Sequence, residues 1–130
     1  MARTCCLAGI ASDKVALISA ALKDAGAPAL ATVARLNVTE LGRLAPGLLV
    51  CDIDGLATDQ FELLRQLRFV MPDCVVAVYT DEMRLGWVVS CHLAGANAVL
   101  SKHSTETQLS SGLRGVQVRG CYTDPRFVAA

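Results

Sequence analysis

Several features are missing from this 130-residue chain, and each absence removes a class of function. No apolar run approaches the ~18 residues of a membrane span, although 53% of the residues are hydrophobic and the mean hydropathy is +0.44. The opening Met-Ala-Arg-Thr-Cys-Cys lacks the long apolar stretch of a secretory signal, so a cytoplasmic location and no membrane partner are expected. Twelve basic residues balance twelve acidic ones, and no basic stripe interleaves with aromatics. This segment is therefore not expected to grip nucleic acid directly. Six cysteines include no Cys-x-x-Cys pair, which removes the usual metal and redox motifs. Cys5, Cys6 and Cys51 lie in apolar runs and read as buried, reduced thiols. Neither Gly9 nor Gly55 belongs to a G-x-G-x-x-G or Walker pattern, so nothing supports nucleotide binding. His92 and His103 read as surface residues, not as a metal pair or a phosphorelay histidine.

What is present is an alternation of short apolar runs and helical patterns, without low-complexity sequence or a long linker. Residues 4–8, 29–34, 48–52, 75–79 and 98–101 read as five strands. Between and after them come helical stretches at 13–25, at 39–44 (stopped by Pro46), from Asp59 to just before Pro72, at 82–93, and from Thr105 to about Val118. Asp59-Gln60-Phe61-Glu62 and Thr105-Glu106-Thr107-Gln108 have the spacing of capping boxes. Five βα units in one chain predict a doubly wound α/β fold with a parallel sheet, and at this length the flavodoxin-like order 2-1-3-4-5 is the expected one.

The most informative stretch is Leu48-Leu49-Val50-Cys51-Asp52-Ile53-Asp54-Gly55, a buried-type strand that delivers a carboxylate to the rim of the sheet. Asp52-Ile53-Asp54-Gly55 resembles the Asp-x-Asp-Gly-Thr motif of haloacid-dehalogenase-type phosphohydrolases, which would make Asp52 a nucleophile and Asp54 an acid–base. Against this, the motif lies on the third strand where that family has it on the first. Leu56 also replaces the threonine, and no paired acids follow downstream.

The chain as a whole, from about Arg3 to Phe127, resembles the receiver domains of two-component response regulators. The resemblance rests on Asp52 ending the third strand, Thr80 ending the fourth in Val76-Ala77-Val78-Tyr79-Thr80, and Lys102 after the fifth. The Leu93-Ala94-Gly95-Ala96 segment before the fifth strand adds to it. Gly120-Cys121-Tyr122-Thr123-Asp124-Pro125-Arg126-Phe127 is similar to the segment closing NarL/FixJ/LuxR-type receivers. The family implies Asp52 as phosphoacceptor, with Thr80 and Lys102 on the phosphoryl oxygens and a histidine kinase as partner. It also implies a homodimer through the fourth helix, fifth strand and fifth helix. Leu85, Trp87, Val88 and Val89 crowd the fourth helix with more apolar surface than one core-facing stripe requires and are the expected partner face. Residues 1–120 form the expected receiver-like domain, and 121–130 the start of a linker to an absent effector domain or a C-terminal tail.

The chain departs from the family where the metal would sit. Receivers place two acids at the end of the first strand to help hold Mg²⁺; the matching positions here are Ala8 and Gly9. The proline of the loop after the acceptor is missing from Gly55-Leu56-Ala57-Thr58-Asp59-Gln60. Asp81 replaces the usual small residue after Thr80, and Val99 replaces the switch aromatic. The expectation is a pseudo-receiver, not an enzyme, with no Mg²⁺ cofactor, acting through protein contacts. One alternative has Asp13, Asp54 or Asp81 rebuild a metal site with Asp52. Another pairs Lys102 directly with Asp52 or Asp81. The rival functions are a phosphorylatable receiver using Asp52 and a small aspartate-nucleophile phosphohydrolase.

Overall fold

The computed structural model describes residues 4–82 and 84–129; the expected domain limits at 1–3 and 130, and Met83 in the expected fourth helix, lie outside them. Elements run β1 (Cys5–Ala8), α1 (Ser12–Asp24), β2 (Ala29–Val33), α2 (Val38–Leu44), β3 (Leu48–Cys51) and α3 (Gln60–Val70). They continue through β4 (Val75–Thr80), α4 (Leu85–Leu93), β5 (Ala98–Ser101), α5 (Glu106–Arg119), β6 (Tyr122–Thr123) and α6 (Pro125–Ala129). The sheet is parallel throughout, in the order β2-β1-β3-β4-β5-β6.

The inner strands β1, β3, β4 and β5 are buried on both faces, which is why they read as continuous apolar runs. Their side chains alternate between two cores. Cys6, Ala8, Leu49, Cys51, Val76, Val78 and Val99 face α2, α3 and α4. Cys5, Leu7, Leu48, Val50, Ala77, Tyr79 and Leu100 face α1 and α5. All three cysteines expected to be buried are buried, and desolvation pushes the Cys5 thiol up to about 12.

Local chemistry starts the helices where the sequence suggests. The Asp59 carboxylate accepts from the amides of Phe61 and Glu62 at 3.0 and 3.2 Å. Thr105 and Gln108 form a complete capping box at α5. Helix α4 begins three residues later than the pattern suggests. Arg84, not an acid at 81 or 82, is its N-cap residue, and no side chain caps it.

After α5 the chain adds a sixth strand and a short helix that the sequence pattern does not show, and residues 121–129 fold onto the domain. Tyr122 and Thr123 pair in parallel with Ala98 and Val99, Asp124 accepts from the Ser104 hydroxyl at 2.6 Å, and Phe127 is fully buried in the α2–α4 core. Asp124-Pro125 is a helix start with proline at the first helical position. His92, expected on the surface, is half-buried and pins this tail. Its Nδ1 donates to the Ala96 carbonyl at 3.0 Å, which leaves Nε2 to accept from the Thr123 hydroxyl at 2.8 Å in the neutral ring.

Gly112 lies where α5 crosses β5 and β6. A Cβ there would stand 2.7 Å from the Tyr122 ring and 3.1 Å from Leu100. Alanine in a helix interior ordinarily gains ~1 kcal/mol over glycine, but overpacking costs ~1–3 kcal/mol. Gly112→Ala should therefore lower stability in a urea melt, and the same substitution in a Tyr122→Ala background should raise it.

Candidate functional site

Parallel register brings the C-terminal ends of β1, β3, β4 and β5 to one rim, pairing Ala8 with Cys51, Cys51 with Val78 and Thr80 with Ser101. Asp52, Thr80 and Lys102 meet there. The register continues one residue past β5, where the Lys102 amide donates to the Thr80 carbonyl at 2.9 Å. This fixes the base of the lysine beside the end of β4.

The Lys102 ammonium lies 2.6 Å from Asp52 Oδ2 and 3.0 Å from Asp54 Oδ2. Of the pairings that the sequence left open, the one with Asp52 is present and the one with Asp81 is not. Asp54 takes the second position. The other oxygen of Asp52 accepts the Asp54 amide at 2.9 Å, a local turn that folds the second carboxylate back over the end of the sheet. There Asp54 Oδ1 accepts the Thr80 hydroxyl at 2.7 Å, and Oδ2 accepts the Asp81 amide at 2.7 Å. Thr80 is committed on both sides, because its oxygen accepts the Glu82 amide at 2.9 Å.

All three charged side chains are mostly shielded from water, exposing 25%, 14% and 24% for Lys102, Asp52 and Asp54. Burial pulls the lysine's affinity for its proton down, but the hydrogen bonds and charges of Asp52 and Asp54 outweigh it and leave the pKa raised. The ammonium also lies 6.0 Å from the centre of the Tyr79 ring. Asp54 has a further effect beneath the site: together with burial, the larger cause, it pushes the Cys91 thiol up to about 12.

The proposed replacement ligands do not assemble around Asp52. Asp13 is exposed in the first turn of α1. The Asp81 carboxylate turns outward to His103 Nε2 at 2.6 Å, with both side chains more than half exposed. Asp54 is adjacent, but an ammonium stands between it and Asp52. Among the described residues no three His, Cys, Asp or Glu side chains could hold a metal ion together. This donor set does not match the oxygen shell that Mg²⁺ takes. Position 9 also resists repair. Gly9 has a φ of +69°, and a Cβ there would approach the Asp52 carbonyl to 3.2 Å.

One residue of the expected partner face lies elsewhere. Val88 is 1% exposed and belongs to the core; the residues α4 presents to water are Leu85, Val89 and Leu93, one stripe at helical spacing. On the outer edge of β5, β6 pairs with Ala98 and Val99. Trp87 is half-buried against Phe61, and its indole donates to Gln60 Oε1 at 3.2 Å. The Gln60 amide donates in turn to the Ile53 carbonyl at 2.7 Å. Sequence reasoning missed this link from the loop after β3 to α4. The only signal for it was a glutamine in the first turn of the helix that follows Asp52.

Lys102→Met should cost ~1–3 kcal/mol, between an exposed and a fully buried ion pair, because it leaves two shielded carboxylates facing each other. The pKa of Lys102 is raised in the folded state. Its contribution is therefore complete below the unfolded value of ~10.4 and is lost as pH rises through the folded one. The stability difference between wild type and variant, from urea melts at several pH values, should be flat from neutral pH to about 10 and shrink above that.

No protein-family model and no curated protein sequence matches the chain. Solved structures do. A LuxR-family two-component response regulator from Aurantimonas sp. SI85-9A1 superposes with a TM-score of 0.82 at 15% identity, over 99% of this chain and 94% of that one. The isolated REC domain of RcsB from Salmonella enterica serovar Typhimurium, solved with phosphomimetic BeF3-, gives 0.82 at 14% identity over 99% and 98%. A response regulator from Thermotoga maritima gives 0.75 at 19% identity over 89% and 98%. At these identities the likeness is one of fold: the chain has the flavodoxin-like parallel α/β architecture of response-regulator receiver domains, with its strands in the order 2-1-3-4-5-6.

Proposed function

We propose that this chain is a receiver-like signalling domain of a bacterial two-component response regulator whose output does not depend on phosphate. The observation that carries the reading is the Lys102 ammonium bridging Asp52 and Asp54. A phosphoacceptor must present a free carboxylate to an incoming phosphoryl group, with a cation to neutralise the charge that builds. Here Asp52 is already paired, a second carboxylate is two residues away, and Ala8 and Gly9 offer no oxygens for Mg²⁺. A like-charge pair at ~4 Å costs about 4 kcal/mol at an effective dielectric of 20. That is roughly a thousandfold in rate.

The work of the domain then falls to protein contacts, and its role is regulatory instead of enzymatic. We assign the contact to the α4 stripe of Leu85, Val89 and Leu93, with a second copy of the chain as partner. All three are exposed on one side of α4, away from the residues α4 gives to the core. Leu93→Asp should shift the association measured by analytical ultracentrifugation toward monomer; a wild-type chain that is monomeric at high concentration would remove this part of the reading.

The convergence of Asp52, Thr80 and Lys102 at one rim favours a second reading, a working phosphoacceptor. Incubation with acetyl phosphate and Mg²⁺, followed by intact mass, separates the two. The pseudo-receiver reading expects no adduct in wild type beyond the level in Asp52→Ala. A stable adduct that Asp52→Ala abolishes would establish the phosphoacceptor instead. Turnover of a phosphate ester would point to the phosphohydrolase.

A further inference from the structure

We propose that Asp54 is an intramolecular stand-in for a phosphoryl group, holding the donors that a tetrahedral oxyanion at this rim would otherwise take. The inference rests on the phosphate-independent reading above and names what sets the state of the same site. Three donors of different kinds converge on the Asp54 carboxylate: the Thr80 hydroxyl, the Asp81 amide and the Lys102 ammonium. They come from the ends of two neighbouring strands and point beyond the sheet, where a bound oxyanion would lie. A carboxylate has about four lone-pair sites for such donors, and Asp54 uses three of them. Its own amide, given to Asp52, holds the loop in the turn that aims the carboxylate at this point.

Occupancy of this position reaches α4 by two routes. Through Thr80, whose oxygen accepts the Glu82 amide, it fixes the backbone after β4; Glu82 then binds the Arg84 side chain at the N-cap of α4. Through the neighbouring Ile53 carbonyl it reaches Gln60 and so the Trp87 indole. Asp54 therefore holds the segment between the rim and the exposed α4 stripe in one liganded arrangement, as a bound oxyanion would, without any transfer step. Removing the Asp54 side chain takes one negative charge from the cluster, leaves the Thr80 hydroxyl and the Asp81 amide without this acceptor, and leaves the Lys102 ammonium with Asp52 alone. Those donors then form a site for a small tetrahedral oxyanion.

The full chain tests this in metal-free buffer, with inorganic phosphate as the probe and two readouts, the Asp81 amide resonance and the fluorescence of Trp87, the single tryptophan. Asp54→Ala should shift both signals before any phosphate is added. Phosphate should then return them toward the wild-type positions, binding about tenfold or more tighter than to wild type because a like charge has been removed. Adding Thr80→Val should abolish that return. The inference is overturned if Asp54→Ala leaves the Asp81 amide and Trp87 unmoved, or if phosphate binds wild type and variant alike or neither. Should Asp54→Ala fail to fold, Asp54→Ser, which also removes the carboxylate and frees the space it fills, is held to the same shift and the same gain in phosphate affinity. An acetyl phosphate adduct on wild-type Asp52 would defeat the functional reading separately, since none of these arms involves phosphoryl transfer.

Discussion

The ammonium of Lys102 is what allows two carboxylates to share the rim of this sheet. Asp52 and Asp54 are drawn together by the turn in which the Asp54 amide bonds to Asp52, and without a cation between them their repulsion would oppose that turn. With the lysine in place, Asp54 can fold back over the strand ends and gather the Thr80 hydroxyl and the Asp81 amide. The path of the chain after β4, and the approach to α4, follow from that arrangement. The cost is that each charge has lost most of its water, so the cluster is well made only while all its members remain.

Strand register supplies the geometry, and the end of β1 adds no carboxylate to it. The rim of the sheet aligns the ends of β3, β4 and β5 closely enough for Asp52 and Lys102, each one residue past its strand, to pair beside Thr80 at the end of β4. The same alignment puts Ala8 and Gly9 opposite the acceptor strand, where they add no oxygen, and the left-handed backbone of Gly9 packs against the Asp52 carbonyl. Converting the site into a metal-binding one would therefore require more than exchanging a side chain. Hydrogen bonds link the rim to α4 through Thr80 and Glu82 on one side and through Ile53, Gln60 and Trp87 on the other.

How much of this could be read from the sequence depended on the range of the interactions. The five βα units were legible because burial on both faces leaves the inner strands apolar and helices are amphipathic, and the resemblance to receiver domains singled out Asp52, Thr80 and Lys102 at strand ends. The tail was not, because two residues of strand carry no period. Its signals were Asp124-Pro125 and a phenylalanine with no other core to join. Val88 was misplaced because Trp87, Val88 and Val89 are consecutive apolar residues, and only packing decides which one turns inward. The role of Asp54 was hidden for a different reason. Whether an acid in a loop binds a metal, faces water or folds back onto a hydroxyl is set by backbone turns that no periodicity records. His92 was equally opaque: its partners, Ala96 and Thr123, are brought together only by the unexpected sixth strand.

The most direct measurement of the central claim is a high-resolution crystal structure of the chain grown with Mg²⁺ and beryllofluoride. The account predicts that Lys102 Nζ remains between Asp52 and Asp54, with Thr80 bonded to Asp54 and no metal or beryllofluoride beside Asp52. Beryllofluoride bound to Asp52, with Mg²⁺ alongside and Asp54 displaced from Thr80, would contradict it.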